Sequence, residues 1–315
     1  ASANLRNKQH VFFNKQLTKE VYQEEIKKWD LGSYKIYEKA QEEAENHWKT
    51  LPPRPVQDDF SINSTGSYVF QSKNCKECYD VDGAEDSKYL FMLALPPLHD
   101  IYDISSWGNG IQLSYDCSVI GENVSDMKFC SEAGISAYSL EYCRVCFGGS
   151  NQFGCVGIKK GKYCIFNKKY PEADFYALRE KIITHMNEMP YIDTKKLIYR
   201  YGEFFPVELS PFAYNETLAQ NFFPMNQEST KQRGFSWREP TTRTYVTTKK
   251  AIDLPDHIKN VTDSILDDII ECAKCGKGFK IVAMELSFFR NMNIPLPREC
   301  PFCRIGEKVG QWVKN

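Results

Sequence analysis

Nowhere in this 315-residue chain is there an apolar run long enough to cross a bilayer. Its first residues lack the basic-then-apolar pattern of a secretory signal, which points to a cytoplasmic protein with no membrane partner. A preponderance of one charge is missing as well: 40 lysines and arginines face 41 acidic residues, and a net charge of −1 carries no general attraction for nucleic acid. Histidine is scarce, with five in all, and none stands near a Ser/Asp or Cys partner at a spacing that a nucleophilic site needs. A phosphate-cradling glycine loop is also absent. One carboxylate, Glu203 in Tyr201-Gly202-Glu203-Phe204-Phe205-Pro206, has apolar neighbours that would raise its pKa if it were buried. A single such group makes no catalytic constellation, so the chain reads as non-enzymatic.

What the chain does have is apolar residues, 42% of the total, enough for one or two cores and two or three structural units. Val21, Tyr22, Ile26 and Trp29 form one helical stripe, and Tyr34, Tyr37, Ala44 and Trp48 form a second. Thr18 and Ser33 are the expected N-caps, Gly32 separates the helices, and Pro52, Pro53 and Pro55 end the pair. Residues 1–60 therefore read as a helical segment with a proline-rich linker. A later stripe, Phe175, Leu178, Ile182, Met186 and Met189, has Pro171 as its expected first helical residue and stops at Pro190. It opens an irregular connector over 170–261, after which Asp263 is expected to cap a short helix, Ile265 to Ile270, in the last unit, 262–315.

Between residues 61 and 169 the text turns to short β-type runs broken by Gly, Asn, Asp and Ser. Aromatic residues recur there every 10 to 14 positions, from Tyr68, Tyr79 and Tyr89 through Tyr102, Tyr115, Phe129 and Tyr142 to Phe153 and Tyr163. The tetrads Cys78-Tyr79-Asp80-Val81, Ile101-Tyr102-Asp103-Ile104 and Ser114-Tyr115-Asp116-Cys117 nearly repeat. Self-similarity on so short a period suits a β-solenoid, where each coil stacks like residues over like. The predicted fold is mixed α+β: a cysteine-rich right-handed β-solenoid with flanking helices and a C-terminal zinc ribbon. Two aromatic segments per coil would make coils of roughly 20 to 27 residues, and a sandwich of hairpins is the runner-up. Asp80, Asp103 and Asp116 would then form an acidic row able to act on a sugar as paired carboxylates do, against the plainer reading of turn-forming Asp. A longer repeat aligns Asn4–Lys15 with Gly157–Lys168, each copy leading into a helix. The chain thus reads as starting where a solenoid ends: either an earlier solenoid is missing, or the first copy caps the one present. An uncovered first coil predicts self-association or an absent partner.

The twelve cysteines fall into two groups. Cys272-Ala-Lys-Cys275 and Cys300-Pro-Phe-Cys303 are two knuckles separated by 24 residues, with Gly276 supplying a sharp turn after the first. Four thiolates close a tetrahedron around one zinc ion and leave no position open, so the metal would be structural. Metal-bound thiolates also favour a reducing compartment. The other eight lie between Cys75 and Cys164. Pairing Cys75/Cys78 with Cys143/Cys146 as a second metal site would join distant coils, whereas Cys117, Cys130, Cys155 and Cys164 suit small apolar positions along a solenoid interior. Residues 272–315 carry eight basic side chains (Lys274, Lys277, Lys280, Arg290, Arg298, Arg304, Lys308, Lys314) against Glu285, Glu299 and Glu307, a formal +5 that fits either a phosphate-contacting module or a solvated face.

The text Cys272-x-x-Cys275-Gly276-Lys277 followed by Pro295-Leu296-Pro297-Arg298-x-Cys300-Pro301-x-Cys303-Arg304 resembles a zinc ribbon of uncharacterised bacterial proteins. With Phe153-Gly154-Cys155-Val156-Gly157, His185-Met186-Asn187-Glu188-Met189-Pro190 and Leu209-Ser210-Pro211-Phe212-Ala213-Tyr214-Asn215-Glu216-Thr217, nearly the whole chain is similar to hypothetical proteins of candidate-phyla bacteria known from environmental DNA. That resemblance implies a zinc ribbon but no activity. It further implies an additional N-terminal ribbon and solenoid ahead of Asn4, and an arginine run where this chain has the mild tail Ile305 to Asn315. The expected function is a zinc-binding scaffold or interaction protein whose ribbon meets an unknown protein partner or nucleic acid, with a carbohydrate-active enzyme using the acidic row as the alternative.

Overall fold

A computed structural model describes residues 1–52, 56–239 and 246–314, with side chains to residue 311, so Pro53 and Pro55 lie outside the described residues. Two compact units form, one from Ala1–Pro53, Asn215–Met225 and Arg238–Asn315, the other from Arg54–Tyr214 and Asn226–Trp237. The consecutive segments read from the sequence are thus redistributed: the connector contributes to both units, and the first helices share a unit with the cysteine-bearing C-terminus.

The helices are α1 (Lys19–Lys27), α2 (Tyr34–Lys49), α3 (Glu172–Glu188), α4 (Ala219–Phe222), α5 (Gln227–Gln232), α6 (Ala283–Met292) and α7 (Pro301–Lys314). Thr18 and Ser33 cap α1 and α2 as expected, accepting from Val21 and Ile36 backbone N–H groups. Pro171 is the N-cap of α3, one position ahead of the first helical residue. Asp263 does not cap a helix reaching Ile270: it lies inside a single 3-10 turn, Asp263–Leu266, and fully buried Ile270 joins a strand, Ile270–Glu271. The strands Lys249–Lys250 and Gly278–Phe279 flank that one, and their hydrogen bonds withdraw Ile270 from any helix. The tail after Cys303 is helical as part of α7, which the sequence reading missed. Among the described residues no helix is long and apolar enough to cross a membrane.

The β-solenoid fills most of the second unit. Successive parallel partners are 11 to 14 residues apart, as in Asp58↔Val69, Gly66↔Cys78, Leu90↔Ile104, Ile101↔Ser114, Ser125↔Tyr138 and Gly149↔Gly161. A coil therefore spans one aromatic interval and not two, about half the expected length. The reason lies in the backbone. Non-glycine residues take left-handed φ about every third position, for example Glu77 (54°), Asp80 (57°), Asp86 (48°), Tyr89 (58°) and Met92 (56°), and each turns the chain. Four short sides then close a coil, and the inward residues recur at a period near three: Cys78, Val81, Ala84 and Ser87, or Cys130, Ala133, Ala137 and Leu140, all buried. Left-handed φ costs about 1–2 kcal/mol at a non-glycine residue. Stacked ladders and interior aliphatics, each contributing roughly 1.5–3 kcal/mol on burial, offset that cost.

The aromatic series lies outside this core. Tyr68, Tyr79, Tyr89, Tyr102 and Tyr115 are 38–48% exposed. Over the later coils the outer face is covered, and Phe129, Tyr142, Phe153 and Ile165 form a second core with Phe175 of α3, Tyr201 and Phe204. Phe129 stacks on Tyr142 at 4.7 Å between centroids. Arg179 of α3 clamps the buried Glu141 carboxylate, Nη2 to Oε1 at 2.7 Å and Nε to Oε2 at 3.1 Å, and the Tyr201 hydroxyl lies 3.3 Å from the same group. Removing Arg179 leaves Glu141 the Tyr201 hydroxyl and, as a cation, the more distant Lys128, 3.8 Å away. Arg179→Ala is therefore expected to destabilise this unit by about 2–4 kcal/mol, read from urea unfolding; a change within experimental scatter would show the clamp to be incidental.

Candidate metal centre

The four C-terminal cysteines converge. Cys272 directly follows the strand Ile270–Glu271, Cys275 follows in a turn closed by the Gly276 N–H donating to the Cys272 carbonyl at 3.0 Å, and Gly276 takes φ +70°. Cys300 precedes α7 and Cys303 lies in its first turn. The backbone joins the two knuckles, with the Ala273 N–H donating to the Arg298 carbonyl at 3.0 Å and the Cys300 N–H to the Cys272 sulfur at 3.2 Å. All four sulfurs lie within 4.8 Å of one another. Across the two knuckles, Cys272 to Cys303 and Cys275 to Cys300 are each 3.8 Å apart. Burial opposes ionisation of Cys272, but the N–H groups of Cys300, Cys275 and Lys274 outweigh it and bring the thiol down to about 6. This is a donor set able to hold a metal ion, and among the described residues no other group of three or more ligating side chains forms one.

The site sits on a small core of Ile258, Ile265, Ile270, Phe279, Leu286, Phe289 and Leu296 with Cys272 and Cys300. The start of α2 is tied to it. Asp30 accepts from Asn293 Nδ2 at 2.9 Å and lies 2.9 Å from His257 Nε2, Ser33 Oγ donates to Asp256 at 2.5 Å, and Arg298 stacks 4.6 Å over the Tyr34 ring. The bonds from Asn293 and His257 hold the Asp30 carboxyl down at about 2. Gly32 is required by this approach, because a Cβ there would stand 2.5 Å from Asn293 Oδ1 and 2.6 Å from the His257 ring. None of these pairings was visible in the sequence, since even Ser33 and Asp256 are 223 positions apart.

Several ribbon cations are already engaged. Arg298 donates to the Leu254 and Pro255 carbonyls at 3.0 and 2.9 Å, Arg290 to the Val261 carbonyl and Asp263 at 2.7 Å each, and Lys274 lies 4.0 and 3.8 Å from Glu299 and Glu307. Lys277, Lys280 and Lys308 remain exposed, and the side chain of Lys314 lies outside the described residues.

The eight solenoid cysteines have another explanation. Each is inward, and each Sγ donates to the carbonyl two residues upstream, from Cys75 to Lys73 at 3.5 Å through Cys130 to Lys128 at 3.3 Å to Cys164 to Lys162 at 3.6 Å. Ser72, Ser87 and Ser114 use Oγ the same way, at 2.8, 2.6 and 2.8 Å. A small side chain with one donor fills the space behind a corner and satisfies the carbonyl turned inward there. Cys75/Cys78 and Cys143/Cys146 stay coils apart. The acidic row shrinks to two: Asp103 and Asp116 are in register between Tyr102↔Tyr115 and Ile104↔Cys117, whereas Asp80, between Tyr79↔Phe91 and Val81↔Leu93, faces Met92. All three take the left-handed conformation, φ 57°, 56° and 49°, for which Asp is suited. Burial raises Asp103, and burial with the neighbouring charges of Asp103 and Glu203 raises Asp116. Glu203 itself is exposed, contrary to the buried position its sequence context suggested, and it is the Glu203 backbone carbonyl that accepts from the Tyr142 hydroxyl at 3.1 Å. No family model matches the chain, and no curated protein matches it either.

Proposed function

We propose that the protein is a non-enzymatic scaffold whose C-terminal centre holds one structural zinc ion through Cys272, Cys275, Cys300 and Cys303. The observation that carries this is the 3.8 Å separation of opposed sulfurs. Four Zn–S bonds of about 2.3 Å at tetrahedral angles place sulfurs about 3.8 Å apart. Such a shell is complete without water or substrate, so the metal's contribution is to folding. Elemental analysis of purified protein should return one zinc per chain; protein free of zinc, and unable to take it up, would sink the reading.

A protein partner suits this scaffold better than nucleic acid, because Lys274, Arg290 and Arg298 are already engaged by Glu299, Asp263 and the Leu254 carbonyl. Titrating a fluorescent duplex at two salt concentrations should reveal no salt-sensitive affinity. A steep salt dependence would restore the ribbon as a phosphate-binding module.

A further inference from the structure

Within the second unit, α3 and the strands Val124–Lys128, Ser131–Glu141 and Phe147–Phe153 enclose a small cleft of about 240 Å³. Part of its lining is a row of three corner residues on consecutive coils. Ser125, Tyr138 and Ser150 are in register, so Asp126, Ser139 and Asn151, each one position later, follow one another at the coil spacing of about 4.8 Å. All three take left-handed φ, 50°, 56° and 53°, and all three are half-buried. A second row, Lys128, Glu141 and Phe153, runs alongside, and α3 adds Phe175, Tyr176 and Arg179.

The charges in the cleft cancel. Lys128 Nζ lies 2.8 Å from Asp126 Oδ1 and 3.8 Å from Glu141, which Arg179 clamps, so no net charge is left to draw in an anion or a cation. What is left is hydrogen-bonding capacity. Among the described residues Ser139 Oγ and Asp126 Oδ2 have no bonding partner, and Asn151 Oδ1 accepts from the Tyr176 hydroxyl at 3.2 Å, which leaves Asn151 Nδ2 as an unused donor. Coil geometry does not force this. Earlier in the same row Asn63 Nδ2 donates to Asn74 at 3.0 Å and Asn74 Nδ2 to Asp86 at 2.8 Å, so neighbouring corners can bond to one another. Over the cleft they do not, and their polar groups stay available.

We propose that this cleft binds one neutral sugar ring of the hexose type. An acceptor at Asp126, a hydroxyl that donates or accepts at Ser139 and a donor at Asn151 match a ligand whose every hydroxyl both donates and accepts. An apolar ligand would leave those groups unmet, at a cost that selects against it. The Tyr176 ring, 46% exposed, supplies apolar surface for the C–H side of the sugar. Size points the same way: the cleft is smaller than the roughly 300 Å³ at which drug-sized pockets begin, room for one ring and not for a nucleotide. The sugar is held and not cleaved, because Arg179 occupies both oxygens of Glu141 and no second free carboxylate faces Asp126. The inference is independent of the metal centre, which belongs to the other unit.

Calorimetry and saturation-transfer NMR on the full chain, with glucose, galactose and mannose as probes, test it. At least one should bind with a Kd of about 1 mM, the strength that a dozen heavy atoms in a small site can reach. Their methyl glycosides are titrated alongside, to tell a site for a free sugar from one for the end of a glycan. Ser139→Ala and Asn151→Gly should each weaken binding about five- to tenfold through one lost hydrogen bond, with wild-type circular dichroism. Ser139→Ala removes a single oxygen and keeps the test open if Asn151→Gly disturbs its corner. Tyr102→Ser, on the exposed part of the aromatic series, should leave the affinity unchanged. Absence of binding by every hexose and glycoside well above that concentration, indifference to both cleft substitutions, or tighter binding of cyclohexanol or glucuronic acid than of any hexose overturns the proposal.

Discussion

Replacing Cys300 by serine should abolish metal binding and unfold the unit that carries it. The thiol is 4% exposed and part of the small core beneath the site, so the loss falls on packing and coordination together. Structural zinc contributes about 10–16 kcal/mol in isolated ribbon-sized units. That is as large as the whole stability of a typical domain, about 5–15 kcal/mol. Because Asp30, Ser33 and Tyr34 bond to Asn293, His257, Asp256 and Arg298, the start of α2 should lose its order along with residues 246–311. Hydrogen exchange should therefore collapse over both stretches in Cys300→Ser, and in wild type treated with a strong chelator. Protection over 66–165 should persist, since that core shares no residue with the metal unit. Unchanged protection around Tyr34 after metal removal would show that the helix pair stands without the ribbon.

The second large effect is expected in the solenoid. Leu140 is fully buried, between Met127 and Gln152 in one inward column. Leu140→Ala should cost about 2–5 kcal/mol through lost burial and a residual cavity. Leu140→Asp should cost more, because a carboxylate set among aliphatic side chains has no cation to meet it. The later coils should then lose cooperative unfolding, followed by tyrosine fluorescence during urea denaturation. Tyr102→Ser, by contrast, alters a side chain 46% exposed and should change stability within about 0.5 kcal/mol. If the two substitutions were equally damaging, the aromatic series and not the inward column would be the core.

That contrast marks where local reading worked and where it did not. Thr18 and Ser33 were legible as caps because a cap is set by one side chain and the three residues after it. The stripe Phe175 to Met186 was legible because helical periodicity is local, whereas Met189, read as its last member, is the C-cap of α3 and exposed. The repeat announced a solenoid, yet its coil length was misjudged twofold, since the aromatics mark the coil's outside and say nothing of the corners. Only the φ values reveal that corners fall every third residue, and non-glycine residues there carry no compositional flag beyond some excess of Asp and Asn. Glu141 with Arg179 and Asp30 with His257 were invisible for a different reason. Pairs separated by 38 and 227 positions are joined by topology, which no short window contains.

The sequence by itself determined which four side chains, Cys272, Cys275, Cys300 and Cys303, would converge as a donor set able to hold a metal ion, because a knuckle is a turn-sized object and its spacing is its geometry. It also determined that short repeats would stack as coils, with Tyr102 over Tyr115 in register as the repeat suggests, although Asp80 falls out of the row of Asp103 and Asp116. Tertiary structure alone decided which side of each coil faces inward, that the solenoid cysteines serve as small donors to corner carbonyls, and that the first helices share a unit with the ribbon. Those outcomes depend on which backbone groups are left needing a partner once the coils close, and that demand exists only in the folded chain.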